Sequence, residues 1–318
     1  MQKDFHHNPE SPSVSVIIPA YNEADFIRRA LDSLLKQDCQ NFELIVVNNN
    51  STDDTAEIAR NYGAVVIREP KQGVAKARQA GFLVAKAGII ATTDADTKLP
   101  SDWISKIIKQ FNDKPNLVAY GGVYSLHSGP KLARWLFPKK AYWLWLMDKK
   151  LSGSWSLPGA NMAVRKTAFA QVGGFNPELN LGEDADLSHR LSKIGKVLLD
   201  KKFLVSTSGR RYRKGLLAAA YAYLPNIASR TLLNKQTIKN KLPAIRKESM
   251  SPLAFVAPIF TLTAMSVLFF HNPVSAKAGK MVIHNGQRMV LAAGQMVHRH
   301  HLHFRVNALG SASKIHGT

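Results

Sequence analysis

Cysteine is nearly absent: Cys39 is the only one in 318 residues. No intrachain disulfide can form, and a cysteine-based zinc site would need a second chain. The lone thiol gives no sign of an oxidising compartment. Acidic residues run out along the chain. Of the 22, 19 lie between Ser13 and Asp200, residues 201–247 have none, and none follows Glu248. Residues 1–12 (MQKDFHHNPESP) lack the apolar core of a signal peptide, so the folded part is expected on the cytosolic side.

The composition is that of a folded chain, with 45% hydrophobic residues and 20% charged, which excludes a disordered protein. The formal net charge is +21, and residues 201–247 alone carry 12 Lys+Arg. Such a stretch attracts phosphates, of nucleic acid or of an anionic leaflet, unless it is only a solvated face. The adjoining segment favours the membrane. Ser249 to Ala276 holds no Lys, Arg, Asp or Glu, and its core, Pro252 to Phe270, is 19 residues long. As a helix that reaches about 28 Å, close to the hydrocarbon thickness of a bilayer. A spanning helix is expected over 249–272, with a re-entrant or interfacial segment as the other possibility. The lysines and arginines before it outnumber those after it, which favours the N-terminal side in the cytosol.

The front half alternates apolar strands with amphipathic helices. Val14–Ile18, Leu44–Val47, Ala64–Ile67 and Ile89–Thr93 read as strands. Between them, Ile27, Ala30, Leu31, Leu34 and Leu35 share one helical face, and Gly73 to Lys86 is Ala-rich. Ser51 with Asp54 reads as a capping box, and Ser101 as the cap of a helix over Trp103, Ile104, Ile107 and Ile108. The pattern predicts an α/β fold built on a doubly wound, mostly parallel sheet. Ligands of such sheets bind beyond the carboxyl ends of the strands. Three polar clusters fall there: Ala20–Glu23, Asn48–Ser51 and Asp94–Asp96.

Asp94 and Asp96 are two apart at a strand end, so both carboxylates face one way if the strand continues. With a divalent cation such a pair can hold a diphosphate; alone it is an ordinary polar loop. Glu183, Asp184 and Asp186 open a helix marked by Leu187, Arg190, Leu191 and Ile194. Acids at a helix start suit the dipole and need no chemistry, but three crowded acids can also tune a general base. Gly159-Ala160-Asn161 and Gly173-Gly174-Phe175 allow close approach to a ligand, or are tight turns. Arg210-Arg211 can grip phosphate through planar forks, or face solvent or membrane. Trp135, Phe137, Tyr142, Trp143 and Trp145, flanked by lysines, suit a bilayer interface, a hydrophobic acceptor or a core. No nucleic-acid motif accompanies them. His298, His300, His301 and His303 have no acid or cysteine near them and read as a basic tail.

The order of these pieces, from about Ser13 to Tyr212, resembles the family 2 glycosyltransferases, inverting enzymes with the GT-A fold. Val16 to Glu23 looks like the family's first-strand motif, Val46 to Asp53 its second, and Gly73-x-x-x-Ala77-Arg78-Gln79-x-Gly81 its glycine-flanked helix. The resemblance implies a nucleotide-diphosphate sugar held by Pro19, Ala20, Tyr21, Glu23, Asn48, Asn49, Arg78, Asp94 and Arg211. It implies Mg²⁺ or Mn²⁺ on Asp96 with Asp94, a sugar and acceptor region at Gly159, Ala160, Asn161 and Glu183, and Asp184 as the base. Asn48 and Asn49 stand where the family offers an Asp, and Gln79 where it has Asn. The Gln-x-x-Arg-Trp motif of processive members is absent, which implies addition of one sugar, of hexosyl type; the expected membrane contact beside the site points to a lipid-linked or cell-envelope glycan acceptor.

The implied organisation is a flexible 1–12, a GT-A domain over 13–205, a basic membrane-proximal segment over 206–248, the helix over 249–272 and a basic tail over 273–318. The implied location is the cell membrane. Two other classes compete: an inactive membrane-bound scaffold of the same fold, and a basic nucleic-acid binder.

Overall fold

The computed structural model describes residues 11–179 and 181–210. Seven strands form one sheet: β1 (Val14–Ala20), β2 (Phe42–Asn48), β3 (Val65–Arg68), β4 (Ile89–Thr92), β5 (Leu117–Leu126), β6 (Met162–Arg165) and β7 (Lys196–Thr207). Their order is β3-β2-β1-β4-β6-β5-β7. Strands β1 to β4 are mutually parallel, β5 is parallel to β7, and β6 is antiparallel to both of its neighbours. The sheet is therefore mixed, with the parallel half in the place the strand–helix alternation predicts.

Burial on both faces explains the unbroken apolar runs. Val14, Val16 and Ile18 of β1 face one core with α1 (Ala24–Leu34) and α4 (Trp103–Asp113), through Ile27, Leu31, Leu34, Trp103, Ile104 and Ile107. Ile17 faces the other core, with Ala77 and Phe82 of α3 (Val74–Val84). Helix α3 lies close on the sheet because Gly81 has no side chain. A Cβ there would come 2.3 Å from Ile17 Cγ2.

Three local expectations are corrected. Helix α2 (Thr55–Asn61) begins four residues after Ser51 and has no side-chain cap. The Ser51 hydroxyl instead accepts the Asn22 N–H at 3.0 Å, so a bond between loops replaces the capping box. Helix α4 likewise has Asp102, not Ser101, at its N-cap, with no side-chain bond. And β4 stops at Thr92, after which the Thr97 N–H closes a turn on the Asp94 carbonyl at 3.1 Å. Asp94 and Asp96 leave the strand period, and each meets a different partner.

Beyond β5 come α5 (Lys131–Ser152), α6 (Lys166–Gln171) and α7 (Glu183–Ser192). Tyr142 and Trp145 of α5 pack on the second core, while Trp135 and Trp143 are 60% and 62% exposed. Among the described residues no helix is long and apolar enough to cross a membrane. The expected helix over 249–272, the tail over 273–318, Arg211 and nearly all of 206–248 lie outside the described residues.

Candidate active site

The carboxyl ends of β1 and β2 carry two loops that hold each other. Asn22 and Asn50 take left-handed backbone, at φ 51° and 65°, which asparagine tolerates. The Asn22 side chain accepts the Thr52 N–H at 2.7 Å, and the Glu23 N–H donates to Thr55 Oγ1 at 2.7 Å. Asp53 receives the Ala24 N–H at 3.1 Å, so α1 is capped from the neighbouring loop. Burial pushes the Asp53 carboxyl up, but bonds from Thr55 and Ala24 outweigh it and hold it below its usual range. Pro19 and Tyr21 are half-buried here, and Ala20 is buried with its carbonyl accepting the Asn49 N–H.

Asn48 and Asn49 hold the loops at the strand ends together. Asn49 is 4% exposed. Its amide donates to the carbonyls of Glu69 (2.8 Å) and Lys71 (3.0 Å), and its oxygen accepts the Gly73 N–H (2.8 Å). It pins the loop leading into α3. Asn48 closes a turn by accepting the Ser51 N–H at 2.9 Å. The amides that stand in place of the family's Asp are committed to the loops that shape the site.

Arg78 occupies the centre. It is 4% exposed and projects from α3 toward two acids. One terminal nitrogen donates to Asp94 Oδ1 at 2.7 Å and the other to Glu183 Oε1. The Gly159 backbone lies against the guanidinium, where a Cβ would be 2.5 Å from Cζ. The Gly159 N–H in turn donates to Asp184 Oδ2 at 2.8 Å. Arg78, Asp94, Gly159, Glu183 and Asp184, from four separate segments, thus form one constellation.

The first turn of α7 presents its three acids differently. Glu183 is buried, Asp184 half-buried, and Asp186 is tied to Arg190 at 2.6 Å. Burial, reinforced by Asp184 and opposed by Arg78, pushes the Glu183 carboxyl up to about 7. Glu183 is locked on Arg78, while Asp184 is the more exposed acid beside it.

Asp96 faces a second guanidinium. It is 8% exposed. Thr207 Oγ1 donates to its Oδ1 at 3.0 Å, and Arg210 Nε lies 3.2 Å from its Oδ2. The two terminal nitrogens of Arg210 donate to the Glu23 carboxylate at 2.6 and 2.8 Å. His127 reaches the Asp96 carbonyl at 3.1 Å; burial, aided by Arg29, lowers its pKa despite that bond. Thr207 and His127 carried no signal in the sequence, since neither a threonine ending a strand nor a lone histidine stands out. The Arg210-Arg211 pair was visible, and the structure brings Arg210 to the site.

Two residues of the expected acceptor region belong to the core. Asn161 is fully buried; its amide donates to the carbonyls of Val123 (3.2 Å) and Phe203 (2.9 Å) and its oxygen accepts the Trp103 indole N–H at 2.9 Å. Its expected ligand role is corrected to that of a brace between β5 and β7. The Ala160 carbonyl accepts the Thr93 hydroxyl at 2.9 Å. Gln79 accepts the Phe175 N–H at 2.8 Å, which explains the small residue at Gly174, while Gly173 is set by its left-handed φ of 78°. A Cβ on Gly174 would strike the Gln79 amide at 2.4 Å.

The donor set around Asp94 and Asp96 is oxygen only, which suits Mg²⁺ or Mn²⁺ rather than a softer metal. Among the described residues no cluster of three His, Cys, Asp or Glu could hold a metal. The pair fits an ion of the kind that takes one or two carboxylates and completes its shell with water and substrate phosphate.

The model of glycosyl transferase family 2 matches residues 15–173, which include β1 to β6, Arg78, Asp94, Asp96 and Gly159. The chain belongs to this family. It is 30% identical over 199 residues to a hyaluronan synthase of Pasteurella multocida, covering 61% of this chain and 20% of that protein. It is 28% identical over 206 residues to an uncharacterized glycosyltransferase of Rickettsia typhi, covering 63% and 65%. The chain thus spans one-fifth of the first relative and under two thirds of the second. Among solved structures, the 1–349 portion of S. aureus TarS in complex with UDP-GlcNAc matches with a TM-score of 0.48 at 16% identity, covering 69% of this chain and 74% of that one. The glycosyltransferase reading therefore rests on the family match.

Proposed function

We propose that this glycosyltransferase moves a single hexose from a nucleotide-diphosphate sugar to a hydroxyl of a lipid-linked or cell-envelope glycan acceptor, with inversion. One observation carries the reading. Arg78 ties Asp94, on the side expected for the diphosphate, to Glu183, and the Gly159 backbone against it bonds Asp184, the expected base. Donor-side and acceptor-side acids therefore meet around one guanidinium.

In this mechanism Asp184 accepts the proton of the acceptor hydroxyl. The hydroxyl oxygen bonds to the anomeric carbon as the carbon–oxygen bond to the diphosphate breaks, and the electron pair leaves with the diphosphate. Gly159 aims the Asp184 carboxylate, and Arg78 adds fixed positive charge on the leaving side. Asp96 and Asp94 would hold Mg²⁺ or Mn²⁺, which supplies further charge against the diphosphate when bound. Single displacement inverts the anomeric centre. Absence of the Gln-x-x-Arg-Trp motif supports one transfer per acceptor.

The membrane side of the proposal is supported by the apolar run over 252–270, by the basic residues before it, and by Trp135, Trp143 and the 47% exposed Met147 on α5. Exposed indoles near lysines suit the headgroup region.

The test offers UDP-, GDP- and dTDP-sugars to the protein with membrane lipid extract, with and without Mn²⁺. A labelled lipid product is expected from one donor class. Asp184→Asn should lower kcat by about 10²–10⁴-fold while the protein melts as before. Full activity in that variant would remove Asp184 from the mechanism, and no product from any donor would remove the transferase reading itself.

A further inference from the structure

Arg210 engages both of its acids with every nitrogen it has. Nε faces Asp96, the two terminal nitrogens face Glu23, and the guanidinium lies 4.4 Å from the centre of the Phe26 ring. Its side chain is 11% exposed, as is that of Glu23, and that of Asp96 is 10% exposed. A buried carboxylate without a counter-charge is costly, and here one positive charge serves two of them. Thr207 takes the other oxygen of Asp96. A divalent ion approaching that carboxylate meets a guanidinium 3.2 Å from Oδ2. Two cations cannot share the oxygen without repulsion, so one must yield.

We infer that Arg210 is the resident counter-cation of Asp96, competing with the divalent metal for that carboxylate and making metal binding depend on the donor. Without nucleotide, Arg210 satisfies Asp96 and a free metal ion gains little by displacing it. The diphosphate changes the balance in two ways. It adds oxygen ligands to the ion, and it gives the released guanidinium a new anion. Metal and donor then load together, each raising the affinity for the other by the same factor. The competition needs no proton transfer and no covalent step. It rests on the metal reading above, and the experiment separates the two.

The experiment titrates the full chain in detergent with Mn²⁺ alone and follows free Mn²⁺ by electron paramagnetic resonance. Arg210→Gln removes the charge and should bind Mn²⁺ about tenfold more tightly than wild type, within the usual range of site–site coupling. Arg210→Lys keeps a charge but not the fork, and should fall between the two, which preserves the test if the Gln variant melts early. Thr207→Val removes a neutral bond to the same carboxylate and should not tighten Mn²⁺ at all. Equal Mn²⁺ affinity in wild type, Arg210→Gln and Arg210→Lys overturns the competition but leaves the metal site standing. Tightening in Thr207→Val as large as in Arg210→Gln also overturns it, because loosening Asp96 would then suffice. Absence of Mn²⁺ binding in every form at millimolar ion, Arg210→Gln included, overturns this inference, and absence even when UDP is added overturns the metal reading as well.

Discussion

Arg78 and Arg210 each bridge two acids, and both acid pairs line the carboxyl edge of the sheet, yet the two guanidiniums are held in different ways. Arg78 projects from the middle of α3, a helix fixed to the sheet through Gly81, and the Gly159 backbone closes over it. Arg210 comes just after the end of an edge strand and leans on one aromatic ring. Ion pairing alone would rank the two arginines as equals. Their anchorage separates them: the first is framework, the second is able to trade partners.

The sharpest way to break this contrast is Arg78→Ala. It leaves Asp94 and the buried Glu183 without their shared cation, and losing one partner of a buried pair costs about 3–5 kcal/mol. The expected result is a lower urea midpoint together with loss of nucleotide-sugar binding. A midpoint no lower than that of Arg210→Gln would erase the distinction. Next comes Gly159→Ala. Its methyl would stand 2.5 Å from Arg78 Cζ, and overpacking of this kind costs about 1–3 kcal/mol. If Arg78 is fixed, thermal stability and turnover fall together; a variant that behaves as wild type would show that the guanidinium gives way.

The smallest effect is read in pH. Glu183 is pushed from 4.5 to about 7, so the folded state holds this proton more tightly than the unfolded one. The resulting stabilisation is complete below pH 4.5 and is lost as pH rises toward 7. Glu183→Gln has no such proton. The difference in unfolding free energy between wild type and variant should therefore slope across that window and level off above it. A difference that stays flat would mean that Arg78 offsets the burial of Glu183 in full.

How much was legible depends on the range of the interactions. Strands β1, β2 and β4 were readable because two-sided burial writes itself into adjacent residues. Strand β5 was not, because Gly121 and Gly122 interrupt its pattern; they are there to let the Asn161 and Phe203 carbonyls approach. The short β6 follows directly on Gly159-Ala160-Asn161, which were read as a ligand loop or turn, and its partners in β4 are 70 to 76 residues earlier. Arg78, Asp94 and Glu183 came from motif order, and the structure joins them. The burial of Asn161 was not legible, since the resemblance placed it in the acceptor region while its partner, Trp103, is 58 positions away. Ser51 deceived for the same reason, its bond running to Asn22 across 29 positions. Pairings over such separations leave no local trace.

The position of β6 also bears on how the protein is made. A nascent chain leaves the ribosome from its N-terminal end. Strands β1 to β4 can pair as soon as Thr92 has emerged, but the outer edge of β4 waits for Met162–Arg165, and one edge of β5 waits for Lys196–Thr207. During that interval translation exposes open strand edges, which invite association with other chains. A stalled or truncated product ending between Asp186 and Thr207 would carry Asp94, Asp96 and Asp184 and still leave an edge of β5 unpaired and open to aggregation.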